Sequence, residues 1–184
     1  MFCPSLLLAP LSSCSFVSGC GIHPGFATAW EEISDDVLAA LQSATALYPA
    51  HDIIVTGHSL GGAVATIAAG HLRQEGFFID LYTYGSPRVG NLAFVTFITN
   101  QDGEEYRVTH SDDPVPRVPP MFLSYRHVSP EYCPSNSSSL CPLSAVSGAL
   151  GSKVAPNLLP SPPTRKLLAD IVGQGLIRPT QGPL

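Results

Sequence analysis

Ser59 is the residue around which the chemistry of this chain can be built. It stands between two glycines in Gly57-His58-Ser59-Leu60-Gly61, directly after the apolar, β-branched run Ile53-Ile54-Val55-Thr56. Glycines two positions either side of a serine, with a strand before and a helix after, form a sharp turn. That turn strains the serine backbone and pushes its hydroxyl out of the sheet. A side chain at either glycine would collide with the neighbouring strand or the incoming helix, and Gly62 lets that helix start close against the strand. The N–H of Leu60, at the helix start, points to where an ester oxygen would become negative, so it is the expected oxyanion donor. The chemistry implied is acyl transfer to the Ser59 hydroxyl. An exposed serine in a Gly-rich turn would not explain the flanks. Ala63-Val64-Ala65-Thr66-Ile67-Ala68-Ala69 is small and apolar, as a helix buried beside a central parallel strand requires.

A serine hydroxyl needs a base, normally histidine, and the base needs a carboxylate to orient it. With a turn of this kind the chain order is serine, acid, histidine, each on a loop at the carboxyl end of a strand. Asp112 and Asp113 follow Tyr106-Arg107-Val108-Thr109 and precede Pro114-Val115-Pro116. Asp113 is the expected acid, and Asp112 reads as a solvated turn residue. His127 follows in the right order for a base, yet a histidine beside a strand is more often packed and hydrogen-bonded than catalytic. His58 flanks the turn, where its side chain should leave in another direction from that of Ser59, and His110 flanks the acid loop.

The elements that must carry these groups follow from periodicity. Phe26, Trp30, Ile33, Val37, Leu41, Ala44 and Tyr48 recur at three and four, which predicts one amphipathic helix over 26–48 with acids early and Pro49 as its stop. Strand 53–57, helix 60–74, strand 78–84, a short helix over 91–98, strand 106–109 and a last short strand at 125–128 come next. Such alternation predicts an α/β fold with a mostly parallel, helix-covered sheet. From Cys133 the chain becomes Pro/Ser-rich, so 133–163 is expected to be irregular or disordered, with a short terminal helix at 164–172.

Composition narrows the function classes. The chain has 184 residues, which suits one domain; 45% are hydrophobic and 12% charged, with a formal net charge of −5. No basic run or patch is present, which argues against a nucleic-acid partner. No apolar stretch reaches the roughly 18–20 residues of a bilayer span, so no transmembrane segment is expected. The five cysteines, Cys3, Cys14, Cys20, Cys133 and Cys141, lie toward the two ends without a C-x-x-C pairing, so no metal site is expected. Cys14 with Cys20 and Cys133 with Cys141 either close two short loops or remain free thiols. Leu6-Leu7-Leu8-Ala9 lacks a positive leader and is cut short by Pro10, so it is not read as a signal peptide.

Five segments in order resemble the fungal class 3 lipases, a group with secreted triacylglycerol lipases and feruloyl esterases. They are Ile22-His23-Pro24-Gly25-Phe26, Val55 to Ala63 around Ser59, and Tyr82-Thr83-Tyr84-Gly85-Ser86-Pro87-Arg88-Val89-Gly90-Asn91. The others are Tyr106 to His110 with Asp113-Pro114-Val115-Pro116-Arg117, and His127 with Glu131-Tyr132. The resemblance covers 20–132 and implies an α/β-hydrolase with an incomplete, mostly parallel sheet and helices on both faces. On either side of that core, 1–19 reads as an irregular N-terminal segment and 133–184 as an irregular tail. The resemblance implies hydrolysis of carboxylic, lipid-type esters through an acyl-enzyme, without a cofactor, by a secreted enzyme with a lipid–water interface as candidate contact. By position Ser59 is its nucleophile and Asp113 its acid. The family's late histidine, its second oxyanion donor and its lid have no counterpart here, so the chain is read as truncated at both ends. The alternative is a catalytically impaired member acting as a lipid- or partner-binding module. Without its upstream neighbour, the strand 53–57 would expose an apolar edge unless 1–19 or a partner covered it.

Overall fold

A computed structural model describes residues 8–110, 112–128 and 130–132, together with the backbone of 166–170. The chain enters through β1 (Ser12–Ser13), which pairs antiparallel with β2 (Gly21–Ile22). A Cys14–Cys20 disulfide closes the loop between them. This settles one of the two open pairings; Cys133 and Cys141 lie outside the described residues. The N-terminal segment, expected to be irregular, is held from Leu8 onward. Phe16 stacks on Phe97, and the Tyr125 hydroxyl donates to Ala9 O at 2.9 Å.

The single helix expected over 26–48 is two, α1 (Pro24–Glu31) and α2 (Ser34–Leu47). The chain breaks at Ile33, whose φ of −121° and ψ of −8° leave helical geometry. The Ser34 hydroxyl then donates to Glu31 O at 3.2 Å, satisfying a carbonyl at the end of α1. The break lets Ile33 pack on the core from one helix direction and Leu41 from another. At the other end of α1, His23 Nδ1 accepts from Gly25 N–H and Pro24 presets the first turn.

β3 (Asp52–His58), α3 (Leu60–Gln74), β4 (Ile79–Tyr84), α4 (Leu92–Asn100) and β5 (Glu105–Val108) follow as repeated strand–helix units. Asn91 caps α4 by accepting from Phe94 N–H at 3.1 Å. The core lies between α3 and the sheet. Ala63, Ala65, Ala68 and Leu72 of α3 are buried with Val55, Ile79 and Leu81, and Phe26, Phe94 and Ile98 close over the helix. The small residues of α3 let it seat directly on β3 and β4.

The strand expected at 125–128 does not form. Arg126 makes one isolated bridge to Gly90, and the edge strand is β6 (Glu131–Tyr132). The apolar signal there comes from Tyr125, fully buried against the N-terminal segment rather than paired in the sheet. A second correction falls at 164–172, where a helix was expected and the chain instead forms β7 (Lys166–Asp170). β7 pairs parallel with β3, Leu168 opposite Ile54. The open N–H and C=O groups of β3 recruit it, and strand pairing overrides local helix preference. The apolar edge anticipated for β3 is therefore covered, by β7 and not by 1–19.

The main sheet is parallel throughout in the order β6-β5-β4-β3-β7. Among the described residues the helices form a single layer: α3 on the sheet, α1 and α4 on α3, and α2 on α1. Helices were expected on both faces; none of the described helices packs on the other one, and the segment 133–163 lies outside the described residues.

Candidate active site

The turn after β3 is built as its residue types demand. Ser59 has φ 54° and ψ −123°, a positive φ in a residue that carries a Cβ. Its N–H donates to Tyr84 O at 2.9 Å, and its carbonyl accepts from Gly62 N–H at 3.0 Å and Ala63 N–H at 3.4 Å. These bonds from β4 and the first turn of α3 hold the strained conformation. A Cβ on Gly57 would run into the Gly61 carbonyl, so the chain can turn this sharply only with glycine there. Leu60 begins α3, and its N–H is among the four helix-start donors without an intrahelical acceptor. The rim here is open, with Leu60 48% and Tyr84 43% exposed.

Asp113 reaches the same rim from the loop after β5. Its N–H donates to His110 O at 3.1 Å and its Oδ1 accepts from Val115 N–H at 2.9 Å, so the carboxylate is held by its own loop. Its other oxygen, Oδ2, lies over Gly85, the residue that follows β4. A Cβ at Gly85 would sit 2.7 Å from that oxygen, and 3.7 Å from His58 Nε2. Gly85 has φ +56° and donates its N–H to Val108 O at 2.8 Å. The carboxyl ends of β3, β4 and β5 thus bring Ser59, Gly85 and Asp113 to one rim. Gly85 was not singled out from the sequence as part of the site. Its signal was present in Tyr84-Gly85-Ser86-Pro87, a glycine closing a strand beside the turn serine.

His127 has a different occupation. Its Nε2–H donates to Pro116 O at 2.6 Å. Burial, and then the charges of Arg107 and Arg88, outweigh that bond and push its pKa down to about 3. The ring is therefore neutral and tied to the loop that carries Asp113. Around it Arg107 pairs with Glu131 at 3.2 Å and donates to Val128 O, while Arg88 donates to Arg117 O and Pro119 O. These bonds brace the 115–128 loops behind Asp113. His110, exposed, accepts from Asp112 N–H through Nδ1 at 3.4 Å.

No helix of the described residues is long and apolar enough to cross a membrane. The chain is 60% identical over 120 residues to secreted mono- and diacylglycerol lipase 1 of Fusarium solani, covering 65% of this chain and 36% of that protein. It is 47% identical over 115 residues to secreted mono- and diacylglycerol lipase A of Penicillium cyclopium, covering 62% and 37%. The chain thus spans little more than a third of these relatives. Among solved structures, the mono- and diacylglycerol lipase of Aspergillus oryzae superposes with a TM-score of 0.66 at 39% identity, over 74% of this chain and 51% of that one. The fold is accordingly that of the α/β-hydrolases. The family described as lipase (class 3) matches residues 5–123, a span that takes in the strained serine, Gly85 and the acid loop, and to that family this chain belongs.

Proposed function

We propose that the chain carries the nucleophile and the acid of a serine hydrolase for lipid esters, within the core 20–132. Ser59 Oγ attacks the ester carbonyl, and the developing oxyanion takes the N–H of Leu60. The tetrahedral adduct expels the alcohol and leaves an acyl group on Ser59, which water then removes. Asp113 is placed to orient an imidazole base; no histidine of this chain is assigned that part, so water takes the serine proton and returns it to the leaving alcohol, at a turnover far below that of a complete relative. His127 is not that imidazole, because its Nε2–H is committed to Pro116 O. The observation that carries this reading is the positive φ of Ser59 beside the Asp113 carboxylate over Gly85. The names of the relatives support partial glycerides as the substrate class. The same names, with the Cys14–Cys20 disulfide, support a secreted protein, since such bonds persist in oxidising compartments.

A second reading is a family member that binds lipid or a partner without turnover, favoured by the neutral, committed state of His127. Fluorophosphonate labelling and p-nitrophenyl ester turnover, each beside Ser59→Ala, separate the two. The hydrolase reading expects labelling at Ser59 and a turnover that vanishes in Ser59→Ala. A folded chain with no label at Ser59 overturns it in favour of the binding module.

A further inference from the structure

All six histidines of the chain lie among the described residues, and five of them are engaged or far from Ser59. His23 is buried with Nδ1 accepting from Gly25 N–H, and His127 is tied to Pro116 O. His51 stands before β3, edge-on to Tyr48, and His71 near the far end of α3, edge-on to Trp30. His110 turns Nδ1 to its own loop, where Asp112 N–H donates to it. His58 is left.

His58 is the last residue of β3 and directly precedes Ser59. It is exposed at the open rim, and among the described residues no hydrogen bond engages its ring. That ring reaches over Gly85. A Cβ at Gly85 would lie 3.7 Å from His58 Nε2 and 2.7 Å from Asp113 Oδ2. The two atoms flank one point, so laying both distances end to end puts them no more than about 6.4 Å apart. One water accepting or donating two hydrogen bonds of about 2.8 Å spans such a gap. Ser59 is held at the same place, because its N–H donates to the carbonyl of Tyr84, the residue before Gly85. Its positive φ turns its side chain out of the strand direction that His58 keeps, so the two side chains diverge and a water closes the distance.

We propose that His58 Nε2 and Asp113 Oδ2 together hold the water that serves Ser59, and that this water passes the serine proton to His58. On the hydrolase reading, which this presupposes, Ser59 Oγ–H gives its proton to the water as the bond from Oγ to the ester carbon forms. The water gives one of its own protons to the lone pair of Nε2. The neutral ring therefore starts with its proton on Nδ1 and becomes an imidazolium. The Asp113 carboxylate, across the water, supplies the counter-charge. When the bond from carbon to the alcohol oxygen breaks, the imidazolium returns a proton through the water to that oxygen. A water attacking the acyl group on Ser59 loses its proton along the same path.

The test is p-nitrophenyl ester turnover by the full chain, with kcat and KM read separately and Ser59→Ala alongside. A proton acceptor set at a reacting group is worth about 10²–10⁴-fold, and one acting through water belongs at the low end. His58→Gln is expected to lower kcat about a hundredfold with KM within about twofold, while the fluorescence of buried Trp30 stays unchanged. Imidazole in solution is expected to raise the Ser59-dependent rate of His58→Ala about tenfold, which a merely structural role would not allow. His58→Gln combined with Asp113→Asn is expected to be no more than about threefold slower than the slower single variant, since both hold one water. Ser59-dependent turnover that His58→Gln leaves within about threefold of the parent overturns the role of His58 and leaves the hydrolase reading standing. A folded parent without Ser59-dependent turnover overturns both. A further measurement needs no variant: in mixtures of H2O and D2O the parent kcat is expected to curve with deuterium content, because two protons move together. A straight line overturns the proposal.

Discussion

Ser59 and Gly85 both hold a positive φ, 54° and 56°, and each needs it for a different reason. Ser59 accepts strain so that its side chain leaves the sheet. Gly85 vacates the volume that the Asp113 carboxylate fills. A methyl at Gly85 would sit 2.7 Å from Asp113 Oδ2 in a backbone region that disfavours side chains. Gly85→Ala is therefore expected to cost about 1–2 kcal/mol of stability and to displace the carboxylate. Urea melts read the first effect. A slower fluorophosphonate reaction at Ser59 in protein that still folds reads the second. His127 carries a pH signature. Its pKa in the folded chain, about 3, lies below the usual 6.5, so unfolding takes up a proton in acid. Its contribution is whole above about pH 6.5 and is lost as pH falls toward about 3, at up to about 1.4 kcal/mol per pH unit. Thermal melts of wild type and His127→Gln are expected to differ most at neutral pH and to converge at acid pH. The sharp turn at Ser59 and the place of Asp113 on the loop after β5 were legible from residue types and spacing. Gly85 and the bond that commits His127 were not, because both depend on which loops meet at the sheet rim.

At the scale of elements, α3 is pinned to the sheet at both ends. At its start, Gly62 lets it approach Ser86 beyond β4. At its end, the Arg73 guanidinium donates to Ile79 O at 2.8 Å and pairs with Glu105 at 3.0 Å, joining helix, β4 and β5. Both side chains of that pair are buried, so removing one leaves a buried charge without its counter-charge. Glu105→Ala is expected to destabilise the chain by about 3–5 kcal/mol, read by urea unfolding, while exposed Glu104→Ala leaves the midpoint within about 0.5 kcal/mol. β3, α3 and α4 were readable because strongly periodic or β-branched runs with clear stops encode them. The division of 26–48 into α1 and α2 was not. The apolar spacing continues through Ile33 in both cases, and only the chain's change of direction separates them.

For the whole molecule, β7 determines whether the sheet has an open edge beside β3. Successive strand residues turn their N–H groups to alternate sides, so replacing both Leu167 and Leu168 with proline removes at least one that faces β3. That double variant is expected to aggregate with rising concentration, measured by light scattering, where the parent chain stays dispersed. The sequence by itself determined the strand–turn–helix around Ser59, the place of Asp113 after β5 and the parallel character of the sheet. Each of these is written in neighbouring residues whose sterics and periodicity act over a few positions. Only the tertiary structure decided that 166–170 becomes a strand, that 125–128 does not, and that Gly85 houses a carboxylate. Those outcomes turn on which backbone edge or side-chain gap lies opposite, and that partner is supplied by residues distant along the chain.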